Sequence, residues 1–308
     1  MEIDEKMVEV DVRRYYEIEA NHIKQVTGGT VGFTYAVNDT YFLKIYDSGL
    51  SMSQRCTEHV ENQMAVLDYL QNNTKLSGKI CYPIKTSLGK FFYEHDHVTG
   101  VLFNYIHGAA VGFENKYSLQ DTQQISVIVE DLHHVDTSMM EALCPKEAFD
   151  LDWCDKLVSL MDKRCESLPN PFQEIVLENQ SMIRMKIGEA YALAVAVKEM
   201  QLPFVLCHTD IHGGNLMRTI EGKLFLVDWE NMMLGPRESD LFAFAEDNQL
   251  NHLAAGSNKT AIRYYTIRRD LEDIYEFLCA IANQEYSSEE QNVVFGHVNR
   301  ILCHLRHA

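Results

Sequence analysis

One stretch constrains this 308-residue chain more than any other, FVLCHTDIHGGNLMRTIEGKLFLVDWENMMLGPRESDLFAF, beginning at Phe204. An apolar run, Phe204 to Leu206, feeds a polar loop from His208 to Asn215. Gly222 then turns the chain into a second apolar run, Leu224 to Val227, that ends on Asp228. Short apolar runs bounded by turn residues read as strands. Two carboxylates, Asp210 and Asp228, and one amide, Asn215, therefore emerge at strand ends, where a rigid scaffold can aim them at one point.

Those residue types suit a metal and phosphate site. A phosphoryl group in transfer carries several negative charges, so carboxylates must reach it through a divalent cation. Magnesium takes oxygen ligands in octahedral geometry, usually a few carboxylates or amides with phosphate oxygens and water. Asn215 and Asp228 fit as ligands, leaving Asp210 to orient an acceptor hydroxyl and take its proton. The pattern H-x-D-x-x-x-x-N, followed thirteen residues later by an Asp set between apolar residues, is far more specific than any of its parts. His208, two positions before Asp210, reads as a loop organiser. His212 lies beside Gly213 and Gly214, outside any H-E-x-x-H helix, which argues against zinc.

The front of the chain has a different texture. VTGGTVGFTYAVNDTYFLKIYDSG reads as a glycine turn between strands, an Asn38-Asp39 turn, and a strand with Tyr41, Leu43 and Ile45 on one face and Lys44 on the other. Gly28, Gly29 and Gly32, with Thr30 between them, allow close approach to a ligand. This turn is neither a P-loop nor a G-x-G-x-x-G dinucleotide loop, and its value comes from Lys44, a positive charge for nucleotide phosphates. From Ser53 to Leu70, Val60, Met64, Leu67 and Leu70 recur at helical spacing. FFYEH and VLFNYI read as further strands. After Gly108, helical patterns cover roughly residues 121–135, 147–165, 174–200 and 259–279. A mostly β front and a mainly helical back imply an α+β chain of two lobes with a cleft between them, divided into residues 1–103 and 104–308.

Net charge is -18. Residues 1–103 hold 14 acidic and 10 basic side chains (net -4), and residues 104–308 hold 31 and 17 (net -14). Such a chain is a poor partner for nucleic acid, and its back portion would attract a cation. Glu238 and Asp240, after Gly235-Pro236, and Glu272, Asp273 and Glu276, on or near one helix, are candidate walls for an ammonium-bearing substrate. Asp240 reads more readily as a support for the metal loop. The amino terminus, MEIDEKMVEVDVRRYY, has no apolar run suited to a signal peptide, and no stretch approaches the roughly 20 apolar residues that span a bilayer. Eight scattered cysteines without a C-x-x-C pair read as reduced thiols. A cytoplasmic location, with no membrane partner, is the expectation.

HTDIHGGN with VDWE resembles the catalytic and metal motifs of the aminoglycoside phosphotransferase and choline kinase-like family, whose fold is similar to that of protein kinases. The GGTVGFTY turn, the FLK strand, FNYIHG and DLHHVD appear in the same order. The resemblance implies Asp210 as catalytic base, Asn215 and Asp228 as magnesium ligands, Lys44 on the phosphates of ATP or GTP, and backbone groups of Asn104, Tyr105 and Ile106 on the base. YPIKTSLGKFF, WENMMLGPRESDLFAF and YYTIRRDLEDI resemble members whose acceptor is a bulky, cationic, hydroxyl-rich aminocyclitol or aminoglycoside.

One position departs from the family pattern. Where relatives usually carry a Glu that pairs with the phosphate-binding lysine, spacing from Leu70 places Gln63, while Glu58 and Glu61 fall on other helix faces. Gln63 supports one alternative, a nucleotide-binding protein that has lost catalysis; a second, a kinase of an endogenous amino alcohol or sugar, shares every catalytic residue and differs only in the acceptor wall. The missing arginine before Asp210, DWE in place of DFG, and the lack of an A-P-E segment argue against a protein kinase.

Overall fold

The computed structural model describes residues 3–26, 32–112 and 116–307. Contacts divide the chain into two compact units, Met1–Lys146 with Val205–Gly235, and Glu147–Phe204 with Pro236–Ala308.

The first unit is built on an antiparallel sheet of order β1-β2-β3-β5-β4. Its strands are β1 (Ile23–Gln25), β2 (Phe33–Val37), β3 (Tyr41–Asp47), β4 (Tyr93–His95) and β5 (Val98–Asn104). Asn38 and Asp39 both take positive φ, 54° and 50°, in the β2–β3 turn. They sit in a three-residue connection, 38–40, between the paired Val37 and Tyr41, and Asn and Asp tolerate that left-handed conformation. In the resulting register Lys44 stands opposite Thr34 and Val101. Gly32 enters β2 with φ +83°, and a Cβ there would lie 2.6 Å from the Ile45 carbonyl oxygen, so only glycine fits this crossing.

Helix α1 (Glu5–Tyr16) covers one face of the sheet. Val8, Val12 and Tyr16, with Ile3 ahead of them, join Tyr35, Val37, Leu43, Ile45 and Leu102 in one apolar core. Asp4 caps the helix by accepting from Met7 N at 2.8 Å. Sequence patterning left this segment unassigned, although its apolar positions follow a four-residue spacing. Helices α2 (Ser51–Thr57) and α3 (Val60–Asn73) replace the single helix expected over Ser53–Leu70, with a break at Glu58 and His59.

A second sheet in this unit, of order β6-β8-β9, joins β6 (Gly108–Ala110), β8 (Leu216–Thr219) and β9 (Leu224–Leu226). β7 (Phe204–Cys207) and β10 (Met233–Pro236) pair separately. Helix α4 (Leu119–His133) starts in a Ser118–Asp121 capping box. Asp121 also receives Arg218 from β8, at 2.9 Å from Nε and 2.5 Å from Nη2, fastening the hairpin to the helix.

The second unit is helical: α5 (Asp152–Ser159), α6 (Phe172–Glu199), the single turn α7 (Glu238–Leu241), α8 (Lys259–Ala282) and α9 (Ser288–His307). Along α8, Tyr264, Ile267, Leu271, Ile274 and Leu278 are buried at alternating steps of three and four, the stripe that lets a helix pack on its neighbours. α9 lies beyond the helical patterns noted in the sequence. It buries Val294, Val298, Leu302 and Leu305, and a capping box closes its start: Ser287 Oγ accepts the Glu290 N–H at 3.4 Å and the Glu290 carboxylate accepts the Ser287 N–H at 2.7 Å. The chain thus has the bilobal α+β fold of protein-kinase-like proteins, with a β-sheet amino-terminal lobe and a predominantly helical carboxy-terminal lobe. Among the described residues, no helix is long and apolar enough to cross a membrane.

Candidate active site

The polar loop between β7 and β8 is organised from inside. His208 is fully buried; its Nδ1 accepts the Asp210 N–H at 3.3 Å and its Nε2 meets the Val227 carbonyl at 3.0 Å. Those partners set the tautomer with hydrogen on Nε2 and clamp the loop to the end of the second strand. Trp229 packs edge-on against the imidazole at 4.7 Å and donates its indole N–H to the Leu226 carbonyl at 3.1 Å.

Asn215 closes the loop. Its Nδ2 donates to the Asp210 carbonyl at 2.9 Å and to Asp210 Oδ2 at 3.2 Å, while its own carbonyl accepts the Val227 N–H at 3.0 Å. The atom that Asn215 can offer a cation is consequently Oδ1. His212 Nε2 lies 3.6 Å from Asp210 Oδ1. Asp228 follows directly, with φ 67°, a left-handed conformation that costs a non-glycine residue energy and clusters at functional sites.

Lys44 of β3 meets this segment. Its Nζ is 3.2 Å from Asp228 Oδ1 and also donates to Glu230 Oε1. Tyr46, two positions along the same strand face, donates its hydroxyl to that Glu230 oxygen at 2.5 Å, and Gln63 Nε2 of α3 holds the Glu230 carbonyl at 2.6 Å. Burial alone would lower the pKa of Lys44; Tyr46, Glu230 and Asp228 together raise it well above the ordinary lysine value, so the group is an ammonium. Burial, reinforced by the Asp228 carboxylate, pushes the neighbouring Cys81 thiol up to about 12.

The structure therefore brings Lys44, Asp210, Asn215 and Asp228 into linked contacts within one unit. In the segment after β5, Asn104 N–H donates to the Tyr82 carbonyl at 3.2 Å and Tyr105 N–H to that of Thr40 at 2.9 Å, whereas Ile106 N–H makes no hydrogen bond among the described residues. Gly28, Gly29 and Thr30 lie outside the described residues.

The acidic candidates sit in the second unit. Glu238 is buried and accepts the Asn258 N–H at 2.9 Å; Asp240 is buried in α7. On α8, Asp273 pairs with Arg269 at 2.9 Å and Glu272 approaches Arg268 at 4.0 Å, while Glu276 is half-buried. Glu230, Tyr46 and the contact made by Gln63 were not among the residues singled out from sequence. The Glu of DWE was visible there, but nothing local marks it as a partner of Lys44.

The profile of the phosphotransferase enzyme family matches residues 22–270, and the chain belongs to that family. It is accordingly a nucleotide-dependent phosphotransferase acting on an alcohol acceptor. A search of curated proteins returns no match. Among solved structures, spectinomycin phosphotransferase APH(9)-Ia, in complex with ADP and spectinomycin, is 20% identical with a TM-score of 0.78 over 100% of both chains. The GDP and kanamycin complex of APH(2")-IIIa is 11% identical with a TM-score of 0.69, covering 97% of this chain and 98% of that one. Choline kinase LicA from Streptococcus pneumoniae is 16% identical with a TM-score of 0.60, again covering 97% and 98%. At such identities the likeness speaks to the fold.

Proposed function

We propose that this protein moves the γ-phosphoryl group of magnesium-bound ATP or GTP onto a hydroxyl of a small cationic aminocyclitol or aminoglycoside, with Asp210 as base. The observation that carries the chemistry is the Lys44–Asp228 contact at 3.2 Å, between residues 184 positions apart, beside an Asp210 that Asn215 holds from the same loop.

Oxygen donors alone, from Asn215 Oδ1 and a 39% exposed Asp228 side chain, match the preference of magnesium. Bound there, magnesium would neutralise charge on the transferring phosphates. Lys44 binds phosphate oxygens from β3, and Ile106 N–H is the donor of its segment open to the base. Asp210 orients the acceptor hydroxyl and takes its proton as the oxygen attacks the γ-phosphorus. The bond from that phosphorus to the bridging oxygen breaks, and the nucleoside diphosphate leaves, with no covalent enzyme intermediate. His208 and Asp240 act as supports.

The cationic acceptor is supported by the net charge of -18 and by the fold shared with a spectinomycin phosphotransferase. Glu238, with Glu272, Asp273 and Glu276 of α8, is the proposed wall for its ammonium groups. The deciding test is transfer from ATP or GTP with magnesium onto spectinomycin, other aminoglycosides, choline and small sugars, scored by product mass. Product on an aminocyclitol alone supports the reading. Product on choline or a sugar alone moves the acceptor to an endogenous alcohol, and nucleotide hydrolysis or transfer that survives Asp228→Ala overturns the metal assignment.

A further inference from the structure

Lys44 touches two carboxylates that differ in everything but charge. The Asp228 side chain is 39% exposed, whereas that of Glu230 is 13% exposed and lies against Lys44, itself 10% exposed. Asp228 is thus the carboxylate that an incoming cation can reach. Glu230 is held from two further directions: the Tyr46 hydroxyl donates to the very oxygen that Lys44 uses, at 2.5 Å, and Gln63 secures its backbone carbonyl at 2.6 Å. Lys44 and Tyr46 converge on it because residues two apart in a strand share a face. The residue of helix α3 that meets Glu230 is the buried amide Gln63, while Glu61 of that helix and Glu58 in the break before it are exposed.

We infer that Glu230 is the dedicated counter-ion of Lys44, a positioning residue that keeps the ammonium in place when Asp228 is given over to a cation. This rests on the reading of Lys44 and Asp228 above. The charge logic is simple. A divalent cation on Asp228 would leave a lysine as enclosed as this one without a carboxylate partner unless a second one stayed with it, and an enclosed unpaired charge is strongly unfavourable. Glu230 fills that need from the catalytic segment itself, two residues beyond Asp228.

The test is a double-mutant cycle read as nucleotide dissociation constants, with magnesium and with EDTA, on protein shown by melting to be folded. Glu230→Gln should weaken ATP binding by about tenfold, the scale of one charged hydrogen bond. In a Lys44→Met background the same change should cost nothing further, because Glu230 acts through the lysine. Losses that add would overturn the inference and make Glu230 an independent ligand or structural group, as would unchanged binding by Glu230→Gln. Should Glu230→Gln fail to fold, Tyr46→Phe serves in its place: a smaller loss that vanishes in Lys44→Met supports the inference, and no loss or an additive one refutes it. A wild-type protein that binds no nucleotide, or a Lys44→Met variant that binds normally, would instead fail the reading of Lys44 itself.

Discussion

The two units each contain one cation set between two carboxylates with a tyrosine attached, and they use it differently. In the first, Lys44 lies between Asp228 and Glu230, with Tyr46 donating to Glu230. In the second, Arg268 pairs with Glu147 at 2.5 Å and approaches Glu272 at 4.0 Å, with Tyr265 donating to Glu147 at 3.2 Å. Burial alone would lower the pKa of both cations, and in both the surrounding acids raise it. Yet Glu147 is 3% exposed at its side chain and also accepts the Phe149 N–H at 2.7 Å, so this carboxylate is closed and fully engaged. Asp228 is open and rests on a left-handed backbone. A compact ammonium that can change partners suits a site that exchanges ligands, and a planar guanidinium suits a fixed joint. Under the proposed mechanism, similar charge arrangements serve turnover in the first unit and stability in the second.

Four changes test that contrast, the largest first. Asp210→Asn should lower turnover by about a thousandfold, the range of a lost general base, with unfolding and nucleotide affinity left as in the parent. Near-normal turnover would remove Asp210 from the chemistry. Arg268→Met should do the reverse, costing about 3 kcal/mol in denaturant unfolding because Glu147 is left buried and unpaired, while the folded protein binds nucleotide as before. Equal loss of nucleotide affinity would erase the distinction between the clusters.

Gly32→Ala should destabilise by about 2 kcal/mol, since alanine is strained at this φ and its Cβ would meet the Ile45 carbonyl. A neutral result in thermal melting would show that the β2 entry relaxes freely. The smallest effect concerns α9. The hydrogen bond from His304 to Asp270, at 2.7 Å, raises the histidine pKa against the opposing pull of burial, and Glu246 assists. A raised folded-state pKa means that this contribution is fully present below the ordinary histidine value and fades as pH climbs through the raised one. Burial raises the Asp270 pKa while His304 and Arg269 pull it down, so the pairing also fades once pH falls far enough to protonate that carboxyl. The melting-temperature gap between wild type and His304→Asn should therefore be widest just below about pH 6.5, where the imidazole is protonated and Asp270 ionised, and close as pH rises. A gap that ignores pH would make the contact one of packing alone.

Much of the first unit was legible in the sequence because its signals are local. Asn38-Asp39 marked the hairpin, alternation put Leu43 and Ile45 inward, and the spacing of His208, Asp210, Asn215 and Asp228 placed them around one loop. Helices α1 and α9 escaped notice although their buried residues recur at helical intervals: in α1 six of twelve residues are charged and dilute the apolar stripe, while in α9 polar residues and histidines separate Val294, Val298, Leu302 and Leu305. The break between α2 and α3 was hidden for the opposite reason: apolar spacing runs through Glu58 and His59 without interruption at Val60.

What the chain determined by itself is the set of chemical parts and the short-range geometry that strands, turns and loop hydrogen bonds impose on near neighbours. Tertiary structure alone decided that Val205–Gly235 packs with Met1–Lys146, and that Lys44 finds Glu230 across 186 positions. Periodicity reports which face of an element is apolar and says nothing of which distant element will cover it. The partner of a buried lysine is chosen by packing, where desolvation makes one enclosed carboxylate matter more than several exposed ones nearby in sequence.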